Sequence, residues 1–243
     1  MYSLDFGIKS KKGAPVKATL FSGLLMALIC SHSWAVHRSD ELEDLIKAAR
    51  EAILEQDYDL AIARCNRAIR LDPNWPVGYL TRAWAFDEKG DYDKAIEDCN
   101  TALTLRPNKG DESEAYNTRA GIYMDKKEYQ KAIKDFHKAI EVDPQRPAAY
   151  GELAWLLATC PDDKVRDGKK AWEYAKKAHE LDPEDAAYMD KLAAAFAECG
   201  DFEQAVQWEE KAIAGSTRSQ VKDVKEWKER LALYQKKMPY RIK

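Results

Sequence analysis

Apolar side chains recur every three or four residues along most of this chain, and residues 77–107 show the pattern most regularly. There they form two stretches separated by Gly90 and Asp91, with Tyr79, Ala83 and Phe86 on the first and Ala95, Cys99 and Ala102 on the second. This spacing predicts two amphipathic helices. Gly90 is expected to end the first helix in a left-handed conformation, and Asp91 to cap the second.

The same pattern is repeated along the chain. Its turn segments start at Gln56, Gly90, Lys127 and Gly200, and a fifth copy ends at Leu181-Asp182-Pro183. Alanine occupies three equivalent sites in all five copies: Ala49, Ala83, Ala120, Ala154 and Ala193; Ala61, Ala95, Ala132, Ala171 and Ala205; and Ala68, Ala102, Ala139, Ala178 and Ala212. Small residues at fixed helical sites let backbones approach closely, so these alanines predict a stack of helix pairs.

A helix–turn–helix unit of about 34 residues, with these alanines and a closing proline such as Pro107, resembles the tetratricopeptide repeat. In the second to fifth units, the first helix ends on a bulky residue that fits the resemblance: Phe86, Tyr123, Leu157 and Phe196. The resemblance implies an all-α, right-handed superhelical solenoid of about five units with a C-terminal capping helix over 217–237. The predicted organisation is a signal peptide (1–35), a lead-in (36–41), a solenoid (42–215, with units of about 42–75, 76–109, 113–146, 147–185 and 186–215) and a cap with a basic tail (216–243).

The fourth unit is about five residues longer than its neighbours. Pro161 is expected to end its first helix, so that residues 162–168 protrude as a loop. This insertion, together with 191–196 and the ending Met238-Pro239-Tyr240-Arg241, is similar to a subset of bacterial tetratricopeptide proteins, several of them exported.

The start of the chain has a different pattern. Lysines at positions 9, 11, 12 and 17 precede an apolar core of 13 residues, 18–30, and Ser33-Trp34-Ala35 follows with small residues at the two sites that signal peptidase reads. This pattern predicts a signal peptide cleaved after Ala35, with a buried core helix or an uncleaved anchor as the alternatives. The protein is therefore expected to be exported (periplasmic, secreted or envelope-associated), without a transmembrane span after cleavage.

Charge is unevenly distributed. The chain has a formal net charge of −3. Residues 1–35 hold four Lys against one Asp, and residues 216–243 hold nine Lys and Arg against three Asp and Glu, which leaves −12 on residues 36–215. An acidic body argues against a nucleic-acid partner, because a phosphate backbone attracts positive charge. The basic tail suggests an alternative role as an envelope-associated structural or assembly factor that meets an anionic surface.

Catalytic chemistry has little support in the sequence. No nucleophile motif, glycine-rich phosphate loop or metal-ligand spacing is present, so neither an enzyme, a cofactor nor a metal is predicted. A less favoured alternative is an enzyme site in the acidic loop 162–168. Four cysteines remain after the predicted cleavage: Cys65 and Cys99 occupy one equivalent site in neighbouring units, and Cys160 and Cys199 share another. Buried free thiols are expected, since packed helices lie about 8–10 Å apart and a disulfide needs Cα atoms within about 7 Å.

By the resemblance, the first helices line a concave groove that binds a protein or peptide. Helical spacing from the matched alanines gives the predicted partner-binding residues: Arg50, Val77, Leu80, Trp84, Asp87, Asn117, Met124 and Trp155. Ile46 and Ile53 occupy similar positions, and for Trp84 and Trp155 packing into the core is the alternative. The chain lacks the Lys, Arg and Asn set with which related proteins clamp a C-terminal carboxylate, because Glu114 has the wrong charge for it. The predicted function is a non-catalytic protein-interaction scaffold outside the cytoplasm.

Overall fold

The computed structural model describes residues 39–216 and 221–242, and for 221–223 the backbone alone. The chain divides into two units, Met1–Asp44 and Leu45–Lys243. In the first unit the described residues, 39–44, are helical. The predicted signal peptide and the start of the predicted lead-in lie outside the described residues.

The described part of the second unit contains helices and no strand. Helix α1 covers residues 45–54, and the others are α2 (Tyr58–Leu71), α3 (Pro76–Glu88), α4 (Tyr92–Thr104), α5 (Lys109–Asp125), α6 (Tyr129–Val142), α7 (Pro147–Thr159), α8 (Gly168–Leu181), α9 (Ala186–Glu198), α10 (Phe202–Gly215) and α11 (Val221–Gln235). From α3 onwards, consecutive helices pair as α3 with α4, α5 with α6, α7 with α8 and α9 with α10, and the first helices of neighbouring pairs pack side by side. The predicted all-α repeat solenoid is confirmed.

The matched alanines form the contact surfaces of this stack. All fifteen have no solvent-accessible surface. Because interiors are close-packed, a larger side chain at any of these sites would force the helices apart. The prediction that alanine sets the packing of the repeats is therefore confirmed.

The turns between paired helices use left-handed backbone, as predicted for Gly90, whose φ is +84°. Gln56 and Lys127 adopt similar values, +65° and +61°, at the equivalent turns, although L side chains disfavour them. Asp91 precedes α4 but does not cap it through its side chain. Its carboxylate instead lies 3.0 Å from the ammonium of Lys94. Asp91 thus occupies the predicted N-cap position and accepts from the Ala95 N–H through its backbone carbonyl at 3.1 Å, without the side-chain cap.

Helix α5 begins at Lys109, four residues before the predicted start of the third unit at 113. Asn108 explains the difference, because its side-chain oxygen accepts a hydrogen bond of 3.0 Å from the backbone N–H of Asp111 and caps the helix there. The extra turn lengthens the wall that α5 presents to its neighbours.

The predicted loop after α7 protrudes only in part. Residues 161–164 are exposed, but Val165 is buried. Arg166 pairs with Glu198 at 2.9 Å and donates to the carbonyl of Cys160 at 2.8 Å. The second half of the insertion is thus fixed against the solenoid, and no group of three or more metal-ligating side chains occurs anywhere in the described residues.

Two partly buried arginines link the second and third helix pairs to the units before them, each through an ion pair within its own unit and a hydrogen bond to an asparagine of the preceding unit. The guanidinium of Arg82, on α3, binds the carboxylate of Asp98 at 2.6 and 2.7 Å and the side-chain oxygen of Asn66, on the preceding unit, at 2.5 Å. One unit later, Arg119 makes the same contacts with Asp135 and Asn100. We call these two sets the arginine ladder.

The arginine ladder stops after the third unit. At its equivalent positions the fourth unit has Leu153 and Tyr174, and the fifth has Leu192 and Trp208. Tyr174 makes an edge contact with His137, which replaces the asparagine, at 6.0 Å between ring centroids. At the positions of the ladder, the solenoid is therefore polar in its second and third units and apolar or aromatic in its fourth and fifth.

The capping helix closes the stack. Trp227 is buried against Ala186 and Ala212, and Tyr234 is buried against the fifth unit. Arg230, also buried, lies 2.8 Å from Asp190 and 3.6 Å from Glu209. Burial and the neighbouring Asp190 charge raise the pKa of Glu209 to about 10.

Candidate binding groove

A groove of about 830 Å³ opens along α1, α3 and α5 and reaches the start of α7. We call it the groove and define it by the residues that line it: Arg50, Val77, Leu80, Thr81, Trp84, Asp87, Glu88, Asp111, Glu114, Asn117, Thr118, Gly121, Arg146 and Glu152. Because successive first helices pack side by side, side chains far apart in the sequence come to face one space.

Six of the eight residues predicted to bind a partner line the groove. They are Arg50, Val77, Leu80, Trp84, Asp87 and Asn117. They come from three helices, and the helical spacing from the matched alanines is what brings them together. That they bind a partner stays a prediction.

Trp84 lies partly in the core and partly at the groove. Part of its ring packs against the cluster formed by Ile53, Ala61 and Ala85. Its indole N–H donates to a carboxylate oxygen of Glu88 at 3.2 Å, and the rest of the side chain borders the groove. Ile46 and Ile53, by contrast, are only 4% exposed and do not line it.

Met124 and Trp155 lie outside the groove. Met124 packs against the buried cluster that contains Phe136 and Leu153. Trp155 is covered by the end of the chain, since Tyr240 packs against it with ring centroids 5.6 Å apart and the guanidinium of Arg230 lies 5.0 Å from its ring centre. Trp155 lies on a first helix as the repeat register predicts, but the C-terminal segment of the chain covers its side chain.

The C-terminal segment is tied to the body rather than free. The Ile242 N–H donates to the carbonyl of Thr159 at 3.0 Å, and Arg241 lies 2.6 Å from Glu198. With Arg230 buried, two of the positive charges of the predicted basic tail are neutralised internally. Exposed lysines remain at positions 225, 228, 236 and 237, so the segment offers an anionic surface less charge than the sequence suggests.

The groove is acidic. It is lined by five carboxylates and two guanidinium groups, and Arg146 is already paired with Glu114. Glu152 lies 3.2 Å from the ammonium of Lys191. Asp87 and Glu88 form no ion pair with any described residue, and Asp111 accepts a hydrogen bond of 2.8 Å from the amide of Asn108. Arg50 is exposed at the edge of the groove.

Two carboxyl groups in this acidic region, those of Asp87 and Asp125, have raised pKa values. Burial raises the pKa of Asp87 to about 7, and the charges of Asp125 and Glu88 add to the effect. The pKa of Asp125 is also raised, first by burial and then by Glu88 and Glu152. Two acceptor atoms here are buried and receive no hydrogen bond within the described residues: Oδ1 of Asp87 and Oδ1 of Asn117.

Sequence reasoning missed Glu88, Asp125 and Glu152 as members of this acidic environment. A signal was available for two of them. Glu88 and Asp125 are the last residues of α3 and α5, and negative charge at a helix C-terminus is disfavoured by the helix dipole. Acidic residues at a helix C-terminus do not stabilise the helix, so their presence there indicates another role.

The described residues contain four free cysteines, three of them buried, whereas Cys199 is exposed. Within the same residues, no helix is both long and apolar enough to cross a membrane. A stack of helix pairs with a preformed groove along its first helices defines an α-helical repeat protein of the kind that serves as a scaffold for protein interactions.

Family comparison names this class of repeat. A model of the tetratricopeptide repeat matches residues 76–109 and 113–146, and a second tetratricopeptide repeat model matches 186–219. The chain is a tetratricopeptide repeat protein. No curated protein matches it.

Solved structures support the same fold. A tetratricopeptide protein of Thermus thermophilus, TTC0263, has a TM-score of 0.63 at 18% identity, covering 80% of this chain and 98% of that one. Pseudomonas aeruginosa pilF has a TM-score of 0.60 at 15% identity, covering 82% and 92%. MamA from Desulfovibrio magneticus RS-1 has a TM-score of 0.52 at 22% identity, covering 75% and 98%. At such identities the likeness shows the fold alone.

Proposed function

We propose that the protein is a non-catalytic scaffold that binds a protein or peptide segment in the groove. The observation that carries this proposal is the convergence of Val77, Trp84, Asp87 and Asn117, from two adjacent first helices, on one open space. Apolar side chains there supply contact area, and the Asn117 amide offers both a donor and an acceptor to a peptide backbone. Because the groove is preformed, binding avoids the cost of ordering the receptor.

The place of action is proposed from the leader. The basic stretch, the 13-residue apolar core and Ser33-Trp34-Ala35 support export and cleavage after Ala35. Fractionation of the native cell, followed by sequencing of the protein's N-terminus, tests this. A mature chain that begins at Val36 outside the cytoplasm is expected. A full-length chain in the cytoplasm would refute the proposal.

Gly121 offers a position for identifying the partner. It lines the groove, and a Cβ atom added there meets no atom within 4 Å. A photo-reactive residue at 121 is therefore expected to crosslink a partner in the native cell. The same residue at Leu60, which is exposed on α2 and does not line the groove, is the matched control. Equal crosslinking from both positions would refute a groove-specific partner.

Affinity measurements on the partner so identified test the groove residues. Trp84→Ala and Asn117→Ala are each expected to weaken binding about 10-fold or more, because buried aromatic and hydrogen-bonding anchors dominate interface energies. Helicity measured by circular dichroism is expected to stay at the wild-type level. Unchanged affinity in both variants would place the binding surface elsewhere.

A further inference from the structure

The groove is acidic and holds acceptor atoms without donors, and this combination specifies more than a generic peptide site. We propose that the bound segment inserts a lysine or arginine side chain into the groove beside Asp87 and Asn117. The inference rests on the proposed function and names the chemistry of the partner: a protein segment that carries a cationic residue.

Charge complementarity is the first argument. Arg146 and Lys191 already neutralise Glu114 and Glu152, whereas Asp87 and Glu88 have no cationic partner among the described residues. The exposed Arg50 at the edge does not balance them. An entering ammonium or guanidinium group would meet complementary charge, and an acidic segment would be repelled.

Hydrogen-bonding capacity is the second argument. Oδ1 of Asp87 and Oδ1 of Asn117 are both buried acceptors that no described group satisfies. A buried acceptor left without a donor is costly. Lysine brings three N–H donors and arginine five, and neither has an acceptor that would compete for the same positions. A segment that offered only acceptors would leave both oxygens unsatisfied.

The shape of the wall is the third argument. Val77, Leu80 and Trp84 line the same groove on the helix that carries Asp87. Lysine and arginine have apolar stems that pack along such a surface while the charged end reaches a polar group beyond it. The cation would also pass near the face of an indole ring, which attracts it. Short donors such as serine could not use both parts of the groove.

The test is a selection from a random library of displayed 12-residue peptides against the full chain. Peptides retained by the wild type are expected to be enriched in Lys and Arg over the input library. The double variant Asp87→Asn, Asp125→Asn is expected to lose this enrichment. Asp93→Asn is the matched control, because Asp93 is exposed on α4, outside the groove, and lies 2.6 Å from Lys126. It is expected to retain the enrichment.

A pair of synthetic peptides, one with lysine and one with norleucine at the same position, tests the role of the ammonium group directly. In a selected peptide, replacing the critical lysine by norleucine removes the ammonium and keeps the stem, and about a 10-fold or greater loss of affinity is expected. Affinity for the lysine peptide is also expected to fall as salt is raised from about 0.05 to 0.5 M.

Failure of the cationic inference and failure of the proposed function give different experimental results. If peptides are retained and Trp84→Ala releases them, but they show neither basic enrichment nor sensitivity to norleucine, the cationic inference is overturned and the proposed function stands. If no retained peptide responds to Trp84→Ala or Asn117→Ala, the groove is not a peptide site and both proposals are overturned.

Discussion

Replacing Asp87 by asparagine is expected to stabilise the folded protein at pH 8. The pKa of this carboxyl group is about 7, against an ordinary value of 3.8, because burial and then the charges of Asp125 and Glu88 oppose its ionisation. At pH 8 the folded state must therefore hold a charge in an unfavourable place. Asparagine keeps the shape of the side chain and removes that charge.

The magnitude follows from the size of the perturbation. One pKa unit corresponds to about 1.4 kcal/mol. Without solvent screening, the rise in the pKa of Asp87 from 3.8 to about 7 would therefore destabilise the fold by about 4 kcal/mol at pH 8. Asp87 borders an open groove, where solvent screens its charge, and we therefore expect a gain of about 1–2 kcal/mol from the substitution.

The sign of the pH dependence is fixed by linkage. Between about pH 4 and pH 7 the folded state retains a proton on Asp87 that the unfolded chain has released, so the contribution of this group to stability falls as pH rises through that window. Asparagine does not ionise, so the stability of the variant does not fall in this way as pH rises. Its advantage over the wild type is expected to be largest at pH 8 and less than half as large at pH 5.

Urea denaturation followed by circular dichroism at the two pH values measures this difference. Asp93→Asn is the control, because Lys126 lowers the pKa of Asp93, and removing that carboxylate is expected to bring no gain at pH 8. A wild type as stable as Asp87→Asn at pH 8, or an advantage that does not change with pH, would refute the account of a destabilising charge in the groove.

Three further outcomes are expected. Arg230→Met leaves two buried carboxyl groups without their cation and should lower the free energy of unfolding by about 3 kcal/mol; an unchanged thermal midpoint would contradict the buried pairing. Deletion of residues 239–243 uncovers Trp155 and should raise amide hydrogen exchange at the C-terminal end of α7 but not in α3, whereas unchanged exchange would show that this segment is not docked. Iodoacetamide should label Cys199 in the native protein before the three buried thiols, as mapped by mass spectrometry, and equal labelling rates would argue against the observed burial.

The repeat architecture could be predicted from the sequence because its determinants are local and periodic. Alanines at fixed positions specify where helices touch, and all fifteen are buried. The same register places six of the eight predicted residues in the groove. A side chain's direction on a helix follows from its position in the repeat, and the repeat is visible in the sequence.

What could not be predicted depends on contacts between residues far apart in the chain. Trp155 has the right helical position, but Tyr240, 85 residues later, covers it. Val165 anchors an insertion that the sequence predicts to protrude. Arg119 looks like an ordinary charged position in the sequence, although its partners Asp135 and Asn100 also recur with the repeat. In the sequence alone, polar residues at periodic sites look like those of a solvent-exposed helix face. Their partners are identified only when the neighbouring unit is packed against them in the structure.

The arginine ladder has a mechanical consequence for the groove. Each of its guanidinium groups is bonded to two helices besides its own, one of them in the preceding unit. Sliding the second or third unit against its neighbour would break directional, charge-assisted hydrogen bonds. The edge contact between His137 and Tyr174, which stands at the same position one unit later, is less directional. The ladder therefore holds the first three units, whose first helices form most of the groove, in a fixed arrangement. The part of the groove that lies between α1, α3 and α5 is therefore expected to keep a fixed width when a partner binds.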